Sequence, residues 1–128
     1  MKAVVIVAAP FLLIGCNAAQ SPPAAPVALA AGAKSCIELS QVVGRYPQAP
    51  DSIIFRMSGG QTYRNRPVGG CPSLERASSL ETIEAEVHGG QLCADDRVRI
   101  YNAQDVRAVG NRAFPQCRLG AFEPVAPR

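Results

Sequence analysis

Four cysteines, Cys36, Cys71, Cys93 and Cys117, punctuate the chain at wide intervals, and none lies close enough to another to form the C-x(2–4)-C knuckle of a thiolate zinc site. An even set of well-separated cysteines in a small domain reads as a disulfide framework, provided the chain matures where thiols oxidise. Two disulfides are therefore expected and no metal. Four cysteines allow three connectivities. The pairing expected here is Cys71 with Cys93 and Cys36 with Cys117, because the latter two open and close the folded region and the first and last strands of a small closed barrel adjoin. On the chain-entropy account such loops contribute about 3 and about 4.5 kcal/mol. The staples matter because the apolar content available for a core is thin: there is no tryptophan and aromatics are 5% of residues.

The amino-terminal residues point to such a compartment. Lys2 supplies a short positive region, and residues 3–14 are mostly apolar, the length of a secretory signal core and too short to span a bilayer. The segment closes on Leu13-Ile14-Gly15-Cys16, which resembles the bacterial lipoprotein box. In such a box the cysteine thiolate accepts a diacylglycerol, and the preceding glycine leaves the backbone open to the peptidase. Residues 1–15 are expected to be a signal peptide and Cys16 the lipidation site and first mature residue. Each buried methylene of an acyl chain is worth about 0.8 kcal/mol, so two or three chains make a firm membrane anchor. Asn17 follows the cysteine where an aspartate would retain the protein at the inner membrane. The expected location is the cell envelope, anchored to the outer membrane and facing the periplasm.

Residues 16–35 read as a lipidated cysteine and a disordered Ala/Pro-rich tether. Pro22, Pro23 and Pro26 favour extended polyproline conformation, and there is no apolar periodicity to bury. Residues 36–124 are then a single domain of about 90 residues, ample for one core and too small for two, with residues 125–128 as a tail. Of the 13 basic residues, losing Lys2 leaves 12 against 10 acidic. That balance is too mild for a nucleic-acid partner.

Within the domain the pattern is β. Ile37, Leu39 and Val42-Val43 suggest a first strand ended by Tyr46-Pro47 and Pro50-Asp51. Residues 52–57 and 61–66 flank Gly59-Gly60, a hairpin signal. A two-residue turn would put Phe55 opposite Arg64 and mix apolar with charged on one face. A three-residue loop pairing Met57 with Tyr63 instead places Ile53, Phe55, Met57 and Tyr63 on one face and Arg56, Arg64 and Arg66 on the other. Arg56 would then face Arg64 directly, a destabilising juxtaposition unless an anion lies between them. Arg56, Arg64, Arg66 and the neighbouring Tyr63 are accordingly the candidate binding residues.

Ile83, Ala85 and Val87 alternate with Glu84, Glu86 and His88, and a Gly89-Gly90 turn would set Val87 beside Leu92. Val98 and Ile100 alternate again after an Asp95-Asp96 turn, residues 118–122 make a last strand, and residues 72–79 offer a helical turn with Pro72 at its first position. The sum is an all-β domain, expected as a five- or six-stranded barrel of the OB-like or SH3-like kind, disulfide-stapled and with at most a short helical turn, a sandwich being the second choice.

The cysteine contexts, Ser35-Cys36-Ile37, Cys71-Pro72-Ser73-Leu74, Leu92-Cys93-Ala94-Asp95-Asp96 and Cys117-Arg118-Leu119-Gly120-Ala121-Phe122, resemble a family of small exported proteobacterial proteins, often lipoproteins, that carry a cysteine-containing domain of unknown function. The resemblance implies an exported β-domain and assigns no activity. Catalysis is not expected: His88 is the only histidine, Asp95 and Asp96 sit in a turn, and Glu84 and Glu86 share a strand face but show no sign of the burial that two acids facing one cleft in a paired-carboxylate hydrolase would have. No cofactor is implied. A noncatalytic binding or envelope-assembly module with an envelope protein as partner is the leading expectation, and nothing in the residues sets an oligomeric state. The alternative is a periplasmic inhibitor of a cell-wall hydrolase, because Ser58-Gly59-Gly60-Gln61-Thr62-Tyr63 is similar to a motif of membrane-bound lysozyme inhibitors.

Overall fold

Strand alternation and turn chemistry build three antiparallel sheets. The computed structural model describes residues 31–87 and 89–126; Cys16, most of the tether and His88 lie outside them. Along the chain run β1 (Cys36–Glu38), β2 (Val42–Gln48), β3 (Ser52–Met57), β4 (Thr62–Asn65), β5 (Thr82–Glu86), β6 (Gln91–Cys93), β7 (Arg97–Tyr101), helix α1 (Ala103–Val109), β8 (Gln116–Arg118) and β9 (Phe122–Pro124). Three single 3-10 turns intervene, one of them Pro72–Leu74 with proline at its start. The sheets run β1-β6, β2-β3-β4-β9 and β5-β7-β8.

The domain is mostly β, as the alternation implied, but the expected five- or six-stranded closed barrel is corrected. Nine short strands form three separate ladders among the described residues, and β2 and β5, the facing edges of two of them, approach without pairing. The edge β2 is broken by a bulge between Val42 and Gly44 and carries Pro47, which has no N–H to offer. Both features discourage further strand addition.

The β3-β4 hairpin shows how register follows the turn. Its loop holds three residues, as expected, but they are Ser58, Gly59 and Gly60: Met57 N–H donates to Gln61 O at 2.8 Å, and Gly60 N–H closes the turn on Met57 O at 3.0 Å. Gly60 takes φ +84°, the left-handed position such a loop requires and glycine supplies without strain. Phe55 therefore faces Tyr63 and Ile53 faces Asn65. The face assignment survives because a two-residue slip preserves parity.

The second expected hairpin does not form. β5 pairs with β7, setting Ile83 against Ile100 and Ala85 against Val98, while β6 crosses to β1 and sets Leu92 against Ile37. Val87 is consequently exposed rather than seated beside Leu92. Burial of Leu92 and Ile37 together in the core outweighs the local Gly89-Gly90 signal.

The core gathers Phe55, Phe122, Ile53, Leu74, Leu92, Ile100, Leu119 and Val98, all fully buried, with Phe55 and Phe122 edge-to-face at 5.4 Å between centroids. Four of the cysteines are joined in two disulfides, Cys36–Cys93 and Cys71–Cys117, which corrects the expected pairing. Cys36 lies directly opposite Cys93 across the β1-β6 ladder, Cα to Cα 4.0 Å. Cys117, on β8, is reached by Cys71 because Val68 bridges to Arg118 and lays the loop after β4 alongside β8. Without a closed barrel, the first strand and the strand bearing Cys117 have no reason to adjoin.

One helix exceeds the expected short turn. Asn102 caps α1 by accepting the Gln104 N–H at 2.9 Å, Asp105 sits in its first turn and Gly110 ends it at φ +78°. No α1 residue is buried.

Candidate functional site

The outward face of the four-stranded sheet carries the cations that the alternation placed there. Arg56 and Arg64 stand on the side of β3 and β4 opposite Phe55 and Tyr63, and Arg66 follows β4 on the same side. The slipped register sets Arg56 across from Thr62 and Arg64 across from Ile54, so the expected direct Arg56–Arg64 opposition is replaced by a diagonal one. Ile54 is 5% exposed although it lies on this outer face, between Tyr46 and Arg64 in the ladder. Long side chains with apolar stems are the cover available to it.

The three arginines differ in their neutralisation. Arg66 donates from Nε to Asp51 Oδ2 at 3.3 Å and from its terminal nitrogen to Glu123 Oε2 at 3.0 Å. These are half-exposed pairs of small energetic weight, but they occupy the cation. The Ser52 hydroxyl, donating at 2.6 Å, is the main cause that holds the Asp51 carboxyl below the usual range, with Arg66 and Arg64 adding to it. Among the described residues neither Arg56 nor Arg64 has a carboxylate within ion-pair distance. The Arg56 guanidinium lies over Gly44 of the adjacent strand: a Cβ there would stand 3.0 Å from Nε. The missing side chain at Gly44 is what lets the guanidinium lie flat along the sheet.

Tyr63 does not belong to this face. It is 4% exposed on the core side, where its hydroxyl donates to Gln61 Oε1 at 3.0 Å and the Lys34 ammonium stands 5.6 Å from its ring centroid. The ring forms part of the floor of a second feature, an open groove of about 690 Å³ between the β3-β4 loop and residues 32–34 and 124–126, walled by Gly59, Gly60, Lys34, Pro124 and Val125. The segment Ser58 to Tyr63, similar to an inhibitor motif, supplies one side of this groove; the sequence did not mark the other side, which comes to it through the pairing of β4 with β9 and of Lys34 with Phe122.

The acidic residues on β5 are spoken for internally. Glu84 accepts from the Asn111 side chain, at 3.1 Å to Oε2, and from the Tyr101 hydroxyl at 3.0 Å, which with nearby Arg99 lowers its pKa, Asn111 contributing most. The same hydrogen bond raises that of Tyr101. Glu86 pairs with Arg99 at 3.2 Å and accepts from Gln116. Arg99 Nε is buried with no acceptor among the described residues. Asp96 caps the turn after β6 by accepting the Cys93 N–H at 2.7 Å, while Asp95, at φ +74°, faces solvent and Arg118. The acids of β5 thus tie the α1 excursion and β8 to the sheet. Among the described residues, no group of three metal-ligating side chains converges.

Comparison with known protein families, with curated proteins and with solved structures finds no match for this chain.

Proposed function

We propose that this chain is a lipid-anchored, noncatalytic binding module of the bacterial cell envelope, exported through residues 1–15, held at the outer membrane by Cys16 and engaging an anionic site on an envelope protein through Arg56 and Arg64. The observation that carries the reading is the contrast in charge partnering. Arg66, Arg99 and Arg118 are paired internally, whereas Arg56 and Arg64 share one outward face and, among the described residues, form no ion pair, although Glu123 stands across the ladder from Arg64 and bonds to Arg66 instead. Two guanidinium groups on one sheet face suit bidentate recognition of carboxylate or phosphate. The two disulfides support an oxidising compartment, and the resemblance to small exported proteobacterial proteins points the same way.

The test is site-specific photocrosslinking in intact cells from Val43, which is 63% exposed and borders the cleft beside Arg56. A discrete adduct that disappears in the Arg56→Ala/Arg64→Ala double variant is expected; an adduct pattern indifferent to both arginines refutes the reading. Mass spectrometry of the membrane fraction should find an acylated chain beginning at Cys16, and an intact Met1 would remove the anchor.

A second reading is favoured by the shape of the β3-β4 loop. Ser58, Gly59 and Gly60 form an exposed hairpin tip, the geometry with which an inhibitor enters the cleft of a cell-wall hydrolase. Inhibition of lysozyme in a turbidity assay that is lost on Ser58→Arg decides for it, and full lysozyme activity at excess protein decides against it.

A further inference from the structure

The groove between the hairpin tip and residues 32–34 and 124–126 lies where residues 31–32 begin the described domain. Gly32 and Lys34 form one side of it, and residues 31–32 make a turn, with Gly32 at φ +79° and so close to Pro124 that a Cβ would stand 3.2 Å from its ring. The polypeptide that precedes residue 31 therefore joins the domain at the groove's edge. That polypeptide contains Pro23-Ala24-Ala25-Pro26, two prolines at the three-residue spacing that puts both on one side of a polyproline helix.

We propose that the groove is the seat of the Pro23-Ala24-Ala25-Pro26 segment of the same chain. Its chemistry suits an extended, proline-bearing peptide: the Tyr63 ring in the floor, Pro124 and Val125 in one wall, and two glycines in the other that leave backbone open. Its volume of about 690 Å³ lies in the range of about 300–1,000 Å³ usual for ligand sites. The segment has the reach. Pro26 and Gly32 are six residue steps apart, spanning roughly 19 Å at about 3.1 Å per residue. It also has the advantage of attachment: a short linker gives an effective concentration on the order of millimolar, so even a contact with a Kd of about a millimolar is half occupied. An outside peptide would have to bind far more tightly to displace it. Docking would shorten the tether and bring the domain closer to its anchor, and it is independent of the arginine-face reading.

The experiment places a photocrosslinking amino acid at Ala25 in the full chain and maps the adducts by mass spectrometry. The expected product is an intramolecular crosslink to residues 59–63 or 124–126. Gly59→Leu is the blocking variant. Gly59 is not in the left-handed region and a Cβ there meets nothing within 4 Å, so the side chain fills the groove without disturbing the fold. It should lower the crosslink yield at least fivefold with an unchanged melting curve. Pro23→Ser/Pro26→Ser should do the same from the other partner, and serves alone should Gly59→Leu unfold. Crosslinks to a second copy, to another protein, or scattered over the domain with yields indifferent to these substitutions overturn the proposal.

Discussion

Replacing Asn65 by alanine should come close to unfolding the domain. Asn65 is fully buried on the core side of β4, between the two positions that carry Arg64 and Arg66. Its amide behaves as a strand partner for one residue. The Nδ2 donates to Gly120 O at 2.7 Å, and its Oδ1 accepts the Gly120 N–H at 3.0 Å, so both backbone groups of a buried glycine are satisfied by one side chain. Two such bonds contribute about 2 kcal/mol net, and truncation also strands a buried N–H and a buried C=O at about 1–3 kcal/mol each. Taking relaxation into account, the loss should be about 3–5 kcal/mol. At about 4–8 °C per kcal/mol for a domain of this size, Tm should fall by on the order of 20 °C with both disulfides intact. Asn65→Asp separates the parts: it retains the acceptor for Gly120 N–H, loses the donor and buries a carboxyl, so its deficit should shrink as pH is lowered. Thermal and urea unfolding of the oxidised protein measure both variants. A destabilisation of Asn65→Ala below about 1 kcal/mol, roughly the average cost of any point substitution, would show that the clamp does not hold β4, and the account of how the arginine face is positioned would fall with it.

Gly120→Ala tests the same junction from the other side, because its Cβ would approach the Arg66 carbonyl to a distance no real Cβ tolerates. It should fold poorly, and near-wild-type urea midpoints would contradict the close approach. The half-exposed Cys36–Cys93 disulfide should be reduced by a small dithiol before the buried Cys71–Cys117, as read by differential alkylation; each closes a loop worth about 4 kcal/mol on the chain-entropy account. Simultaneous labelling of all four thiols at every time point speaks against this order. Glu84 titrates lower in the folded than in the unfolded chain, so its contribution to stability is present above the normal glutamate pKa and fades as pH falls below it; Glu84→Gln should flatten the acid limb of the stability curve, and an unchanged limb assigns the acid sensitivity elsewhere. Gly44→Ala should displace the Arg56 guanidinium, the end of a flexible side chain, with little effect on stability but weaker crosslinking from Val43; equal crosslinking shows that the Arg56 pose is immaterial.

Much of the fold was legible wherever alternation was the deciding signal. Val98 and Ile100 are buried and Arg97 is exposed, as their spacing requires, and Arg56 and Arg64 share the outer face because parity is insensitive to where a turn begins. What alternation does not encode is partner choice. The Gly89-Gly90 pair looks like a hairpin turn, yet β5 and β6 go to different sheets, since the burial of Leu92 against Ile37 is a long-range event. The disulfide pairing departs from the expected one for the same reason, since the barrel closure that would bring Cys36 to Cys117 does not occur. The helix α1 was legible and missed: Asn102, Asp105, Arg107 and Gly110 form a cap, a first-turn acid, a last-turn base and a C-terminal glycine over a segment too short for apolar periodicity to register. Of the candidate site, the arginines could be read because strand parity exposes them. The groove as a whole could not, because its walls are contributed by residues 32–34, 59–63 and 124–126.

The Cys36–Cys93 bridge has a mechanical consequence. Tension applied from the amino-terminal side first meets the isolated Lys34–Phe122 pairing and then, two residues later, a covalent bond. Load that leaves the domain beyond position 93 passes through sulfur from position 36, and the 56 residues between them are shunted out of the line of pull. A tug on the leading end therefore cannot peel β1 from β6, and both strands take up the force together.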